Sequence, residues 1–425
     1  MDFLTLPDAP ALRLDNVTLP GCLIGSPEEV VRSQITLAGG RIVDAPADTA
    51  IDLGGAMVFP AFVDMHTHLD KGHIWPRSPN PSGSFPDALA TVQADRTARW
   101  EASDVRARAE FSLRCAFAHG TCAIRTHLDS IPPQDEISFP VFRELREEWR
   151  GRIELQAVCL VVADGVEPGD GGRFARTADI VADAGAVLGM VPLMLPDMKE
   201  RLVTFFRLAE DRGLAADFHV DETGDASAAT LRMIAETVLE TGFSAPVTVG
   251  HCCSLAVQPE AEALHTLDLV ARAGLHVVSL PMCNMYLQDR SPGRTPRWRG
   301  VTLVHEMKAR GIPVAFASDN TRDPFYAYGD MDMLEVMREA TRIAHLDHSG
   351  ADWPEAFTTT PARACGFTPP SLAPGAPADL VICRARSFNE LMARPQSDRI
   401  VLRAGRQIDR TLPDYAELDH LMRTA

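Results

Sequence analysis

Eight short, strongly apolar runs recur along the middle of the chain, and this rhythm constrains the fold more than any other sequence feature. The runs are rich in β-branched residues, as is typical of strands buried on both faces. Segments with an amphipathic helical pattern separate them, and several end in Gly, which is favoured just after a helix. The runs lie at 57–65, 121–128, 152–161, 186–195, 215–221, 246–253, 275–283 and 312–319. This alternation predicts an α/β fold with a parallel sheet, and eight such units predict a (β/α)8 TIM barrel.

The two ends of the chain have a different pattern. Residues 12–58 and 378–410 contain short alternating runs separated by Gly turns, with few helix signals. This pattern is typical of a small β-sandwich. We therefore expect a small β-sandwich domain built from residues 1–56 and 369–425, and a catalytic barrel domain formed by residues 57–368.

Charge and composition restrict the partners of the chain. Lys and Arg number 41 against 58 Asp and Glu, so the net charge of −17 disfavours a nucleic-acid partner. No apolar run reaches the ~18 residues that span a bilayer, so we expect no membrane partner. The first residues lack the basic segment of a secretory signal. The nine cysteines show no framework spacing, which fits reduced thiols and a cytoplasmic location.

Polar side chains recur at the same end of the predicted strands. In a barrel of this type, catalytic groups gather at the carboxyl ends of the strands. A single buried His is more often an ordinary core residue, but a set of His, Glu and Asp on five strands indicates one functional mouth. The set comprises His66, His68, Arg125, His127, Gln156, His219, Glu222, His251, Cys283, Asn284, Asp319 and Asn320.

The pair His66 and His68 is the sharpest local signal. Residues i and i+2 of a strand point to the same face, so that the two imidazoles can share one ion. A third imidazole from His219 and a carboxylate from Asp319 complete a donor set that suits one Zn(II) or Fe(II) ion. Glu222 follows His219 by three residues and can shuttle protons close to the ion without binding it.

These motifs resemble the amidohydrolase superfamily, and within it most closely the bacterial cytosine deaminase group. They are HTHLDKGH (66–73), RTHLD (125–129), RIELQAVC (152–159), HVDE (219–222), GH (250–251) and SDNTRDPFYAYGD (318–330). The resemblance covers nearly the whole chain.

The resemblance also implies a role for each residue. The implied metal ligands are His66, His68, His219 and Asp319, with Glu222 as proton shuttle and His251 as the residue that helps ionise the attacking water. Asp319, near the attacking oxygen, would take the proton that remains there after the attack. Gln156 resembles the position that reads the amide edge of the pyrimidine ring. The group resemblance also implies a homo-oligomer.

Two pocket positions depart from the cytosine deaminase pattern. Asn320 stands where that group usually has a second Asp, and an amide offers both a donor and an acceptor where a carboxylate offers only acceptors. Phe325 stands where Trp is typical. Both departures affect the identity of the substrate and leave the expected chemistry unchanged.

The scarcity of lysine bears on the number of metal ions. Binuclear members of the superfamily bridge two ions with a carboxylated Lys at the end of the fourth strand. This chain has only Lys71, Lys199 and Lys308, and none of them ends the fourth run. The sequence therefore favours one ion per chain, as in the deaminases of the superfamily.

The leading function is hydrolytic deamination of a small aminated heterocycle, cytosine or a relative such as isocytosine or an aminotriazine, with release of ammonia. The alternative is an amidohydrolase that cleaves a cyclic amide or an N-alkylamine substituent. A remote alternative is a catalytically inactive assembly protein. The last is disfavoured because every expected ligand is present.

Overall fold

The computed structural model describes residues 2–423. Its strands are β1 Ala11–Pro20, β2 Val30–Ala38, β3 Arg41–Val43, β4 Thr49–Asp52, β5 Met57–Pro60, β6 Phe62–Thr67, β7 Thr121–Asp129, β8 Glu154–Leu160, β9 Leu188–Met190, β10 Ala216–Val220, β11 Val247–His251, β12 His276–Ser279, β13 Val314–Phe316, β14 Leu380–Cys383, β15 Ile400–Arg403 and β16 Arg406–Gln407. Its helices are α1 Phe85–Arg99, α2 Ala102–His119, α3 Gln134–Glu148, α4 Arg173–Asp183, α5 Met198–Glu210, α6 Thr230–Thr241, α7 Glu260–Arg272, α8 Pro281–Leu287, α9 Val304–Ala309, α10 Met333–Ala344, α11 Thr359–Cys365, α12 Phe388–Ala393 and α13 Asp419–Met422.

The eight middle strands are parallel and form two sheets. One sheet has the order β6-β7-β8, and the other has the order β13-β12-β11-β10-β9. Isolated bridges join their edges: Val158 pairs with Val187, and Val162 with Val191, while Thr67 pairs with Asp319 after β13. All eight carboxyl ends therefore point the same way, as the sequence predicted.

Strands from both ends of the chain form a separate mixed sheet. Its order is β16-β15-β14-β5-β1-β2-β3, with β4 paired to β1. Leu14, Val17, Val58, Leu380 and Ile400 are buried in its own apolar cluster. The expected alternating patterns at the two ends thus meet in one sheet.

The run predicted as one strand over 57–65 is two strands. Strand β5 pairs with β14 of the mixed sheet, whereas β6 pairs with β7 of the parallel sheet. Pro60 ends β5, because proline has no N–H to continue the ladder. The run predicted over 275–283 also ends early, at Ser279, and Pro281 begins α8, a position where proline is favoured.

Strand alternation separates the core from the site. On β10, Phe218 packs against Phe205 of α5, with ring centroids 4.8 Å apart. Asp217 and His219 therefore point to the opposite, inner face. Within residues 2–423, no helix combines the length and the apolar character that a membrane span requires.

Candidate active site

The four predicted ligands converge at the carboxyl ends of the parallel strands. His219 Nε2 lies 3.1 Å from His66 Nε2 and 3.3 Å from His68 Nε2. Asp319 Oδ1 lies 3.6 Å from His66 Nε2 and 3.2 Å from His68 Nε2. Four tetrahedral donors about 2.0–2.1 Å from an ion are separated from one another by about 3.3–3.4 Å. The observed spacing therefore suits a single divalent transition-metal ion.

Within residues 2–423, the carboxylate of Asp319 is left without a hydrogen-bond donor, which supports the same interpretation. Both carboxylate oxygens of Asp319 are buried and have no hydrogen-bond partner among the described residues. Burial raises the pKa of Asp319 to about 7. Burial and the neighbouring imidazoles lower the pKa of His66 and His219 well below the ordinary value, so that their rings are neutral, as metal binding requires. A bound cation would supply the positively charged partner that the buried carboxylate of Asp319 does not have.

Glu222 and His251 are held by one amide. Asn284 Nδ2 lies 3.0 Å from Glu222 Oε1 and 3.0 Å from His251 Nδ1, so that its two hydrogens serve both acceptors. Burial and the carboxylate of Asp319 raise the pKa of Glu222 well above the ordinary value. Burial lowers the pKa of His251 to about 3, and its Nε2 has no partner among residues 2–423. A carboxyl group with a raised pKa and an imidazole with a lowered pKa thus face the same space.

A cavity of about 550 Å³ opens above these groups. His68, His219, Glu222 and His251 form its polar floor. The walls are mainly apolar and come from Phe85, Leu89, Val92, Ile131, Leu160, Val162, Val191, Leu193, Met194 and Phe325. A few convergent polar groups in an apolar cleft are the usual construction of a small-molecule site.

Gln156 lies outside this cavity, contrary to the expectation that it sits near the mouth. Its Oε1 accepts a hydrogen bond from Arg125 Nε at 2.7 Å, and its Nε2 donates to Cys365 O at 3.2 Å. Strand β8 begins at Glu154, so that Gln156 lies near the amino end of the strand. The residues that line the cavity from this part of the chain are Leu160 and Val162.

The two departures from the cytosine deaminase pattern, Asn320 and Phe325, both line the cavity. Asn320 Nδ2 donates to Asp323 Oδ2 at 2.7 Å, and Asp323 Oδ1 accepts from the backbone N–H of Phe325 at 2.8 Å. The ring of Phe325 meets that of Phe85 edge to face, with centroids 5.5 Å apart. The loop after β13 is therefore built around Asp323 and presents both side chains to the cavity.

Three neighbours of the site had no assigned role in the sequence-based set. Asn284 was recognised only as a polar residue after a strand. For Lys71, which follows the HTHLD motif, the sequence left open whether it lines the pocket or packs within a loop. The ring of His127 lies 4.0 Å from that of His66, and its Nε2 lies 3.2 Å from Asp217 Oδ1. The position of His127 two residues after Arg125, on one face of β7, was the available signal.

Comparison with known proteins places this site in a family. The model of the Amidohydrolase family matches residues 49–130 and 144–409. The chain is 54% identical over 430 residues to a pterin deaminase of Rhizobium rhizogenes, covering 98% of both chains.

Solved structures give the same result. The 5-methylcytosine deaminase of Klebsiella pneumoniae with 5-fluorocytosine superposes with a TM-score of 0.77 at 25% identity, covering 95% of this chain and 98% of that one. The N-isopropylammelide isopropylaminohydrolase of Burkholderia multivorans gives 0.75 at 27% identity, covering 94% and 98%.

The chain belongs to the amidohydrolase family. It is a hydrolase that acts on C–N bonds other than peptide bonds, a hydrolytic deaminase of a heterocycle. Members of the superfamily use a divalent metal, and the cluster of buried His and Asp side chains can hold one.

Proposed function

We propose that the protein is a metal-dependent pterin deaminase. In this reaction, water replaces the 2-amino group of a 2-amino-4-oxopteridine, giving the 2,4-dioxo ring and ammonia. The 54% identity to a pterin deaminase over 98% of both chains carries the proposal. The aminated ring of a pterin is an isocytosine ring, one of the cytosine relatives expected from the sequence.

The shape of the cavity supports a bicyclic substrate. Its volume of about 550 Å³ lies within the range of sites for small molecules and cofactors. Phe325, Leu160 and Val162 offer apolar surface to a flat ring system, while polar side chains line the floor and part of the wall. We propose that the amino group of the ring points to this floor and that the second ring lies between the apolar walls.

We propose that His66, His68, His219 and Asp319 hold one ion, Zn(II) or Fe(II). When bound, such an ion lowers the pKa of water toward neutrality and supplies a hydroxide for attack. Because Nδ1 of His251 accepts from Asn284, its Nε2 would carry the ring proton and would orient the attacking water by donating a hydrogen bond to it.

Glu222 moves the protons. Its raised pKa lets the carboxyl hold a proton and donate it to the ring nitrogen beside the carbon under attack. Addition of hydroxide to that carbon breaks the local conjugation of the ring. Asp319 accepts the proton that remains on the added oxygen and passes it to the amine, which leaves as ammonia when the C–N bond breaks. Asn320 would lie beside the leaving amine and would help to determine which heterocycle the enzyme accepts as substrate.

Ammonia release from defined rings tests this proposal. The purified protein, reconstituted separately with Zn(II) and Fe(II), is incubated with pterin, isocytosine, cytosine and an N-alkylated aminotriazine. We expect one ammonia per pterin consumed, with isocytosine slower because it leaves the upper cavity empty. Turnover of cytosine without turnover of pterin would reject the proposed substrate. Release of an alkylamine in place of ammonia would favour cleavage of N-alkylamine substituents.

We further propose the finer architecture that the sequence predicted. The eight parallel strands would close as a (β/α)8 barrel over residues 57–368, supported by the bridge between Thr67 and Asp319. Residues 1–56 and 369–425 would form the β-sandwich domain. The enzyme would act as a homo-oligomer in the cytoplasm.

A further inference from the structure

The side chain of Lys71 is a buried cation on the wall of the cavity. It lies in the turn after β6, three residues beyond His68, and its side chain is 5% exposed. Its Nζ lies 5.1 Å from the centroid of the Phe325 ring. Lys71 therefore reaches the space where the proposed ring would lie against Phe325.

Most of the hydrogen-bonding capacity of Lys71 is unused. An ammonium has three N–H donors, and Asp129 Oδ1, at 3.0 Å, is the one acceptor that residues 2–423 provide. Asp129 is also neutralised by Arg96, whose Nη1 lies 2.8 Å from Oδ2. Lys71 thus keeps two free N–H donors at a cavity that it lines together with Asp129 and Arg96. The carboxyl groups of Asp70 and Asp323 also stabilise its positive charge.

We propose that Lys71 reads the edge of the pterin formed by its 4-oxo oxygen and the adjacent ring nitrogen N5, donating one N–H to each acceptor. This inference rests on the proposed pterin deaminase activity. The two acceptors lie side by side across the ring fusion, and the flexible, three-donor ammonium can serve both. Isocytosine has the oxygen without N5, so Lys71 would help to select fused rings over single ones.

A substrate analogue paired with a Lys71 variant tests the contact. In 5-deazapterin a C–H replaces N5, which removes one acceptor and keeps the shape. Lys71→Met keeps the length of the side chain and removes its donors. Lys199→Met is the matched control, because Lys199 is exposed on α5 and paired with Glu240. For each protein, the preference is the ratio of kcat/KM for pterin to kcat/KM for 5-deazapterin. Comparing this ratio between wild type and variant removes the difference in intrinsic reactivity of the two rings, because that difference is the same for both proteins.

For wild type and Lys199→Met, we expect kcat/KM to favour pterin over 5-deazapterin by ~10- to 100-fold. Lys71→Met should lower kcat/KM for pterin by ~100-fold and reduce that preference at least ~10-fold. An unchanged preference in Lys71→Met would overturn the role of Lys71 and leave the deaminase activity standing. If the wild type releases no ammonia from pterin, the proposed function fails and this inference fails with it.

A measurement on the wild-type protein keeps the inference testable if Lys71→Met does not fold. The chain has three lysines, so that lysine-specific isotope labelling gives three side-chain NMR signals. Lys199→Met and Lys308→Met assign two of them, and the third is Lys71. Lumazine, the 2,4-dioxo product, retains the 4-oxo oxygen and N5. We expect lumazine to shift the Lys71 signal alone, and an unmoved signal with lumazine bound would overturn the contact.

Discussion

Two neighbouring layers of buried polar side chains differ in whether the protein pairs them. The paired layer consists of Arg125, Gln156, Asp217 and Thr248: Arg125 Nη1 donates to Asp217 Oδ2 at 2.9 Å and to Thr248 Oγ1 at 3.1 Å. The ligand layer consists of His66, His68, His219 and Asp319. Its imidazole Nε2 atoms converge to 3.1 and 3.3 Å from one another, and both carboxylate oxygens of Asp319 have no hydrogen-bond partner among the described residues.

The difference shows which layer needs something from outside the protein. A buried polar atom without a partner costs free energy, so that native proteins seldom keep one without a reason. In the paired layer, the polar groups form hydrogen bonds with one another, and these bonds stabilise the fold. The ligand layer, in contrast, is arranged for a cation and a substrate. Four predictions test this division, in order of decreasing effect.

The largest effect is expected at Glu222, above the ligand layer. Glu222→Gln keeps the size of the side chain but cannot shuttle protons, so turnover should fall by ~10²- to 10⁴-fold. Because Glu222 is not a ligand in this account, metal content measured by elemental analysis should stay at the wild-type value. Near-normal ammonia release by this variant would remove Glu222 from the mechanism.

The paired layer should respond in stability. Asp217→Asn leaves the buried guanidinium of Arg125 without its anion, and the free energy of unfolding should fall by about 3–5 kcal/mol. Urea unfolding of the metal-loaded protein measures this loss, while metal content should persist. A loss below about 1 kcal/mol would show that the pair is not structural.

His73 is an apparent exception to the comparison, since both of its ring nitrogens are buried and unpaired and it does not line the cavity. Burial lowers its pKa to about 3. The unfolded chain binds a proton near pH 6.5 and the folded chain does not, so His73 reduces stability as the pH falls below about 6.5.

Between pH 6.5 and pH 5 this cost is ~2 kcal/mol, and His73→Phe should remove it. Urea unfolding at the two pH values compares this variant with wild type. His348→Gln, at an exposed position, is the control and should keep the wild-type dependence. The same pH dependence in His73→Phe and wild type would mean that His73 gains a partner in solution.

The smallest catalytic effect is expected at Gln156. Gln156→Leu removes the acceptor of Arg125 Nε, costing about 1–2 kcal/mol of stability. The kcat/KM for pterin should change by less than about threefold, because Gln156 contacts no group of the cavity. A 100-fold loss of kcat/KM for pterin would show that Gln156 does contribute to the substrate site.

The contrast between layers also explains what the sequence could predict. Alternation along β6 and β10 correctly brought His66, His68 and His219 to one face, and the parallel strands correctly brought Asp319 beside them. Alternation predicts the face of the strand to which a side chain points. It does not predict how close that side chain lies to the carboxyl end of the strand, where the cavity is. Gln156 faces inward as expected, yet Val162 lies six residues, or about 20 Å of extended chain, further toward the cavity.

Asn284 and Lys71 were harder to place because neither lies on a strand. Asn284 is on α8, which begins where the sequence predicted the end of a strand, and Lys71 is in a turn. The contacts of both depend on how separate loops pack above the sheet. Apolar periodicity carries little information about such contacts.

The metal content of the purified protein tests the central claim most directly. If the ligand layer is one mononuclear site, elemental analysis should find close to one divalent transition-metal ion per chain in wild type. His68→Ala should lose most of it, while Gln156→Leu in the paired layer should keep it. Two tightly bound ions per chain, or none after supplementation with Zn(II) and Fe(II), would contradict the account.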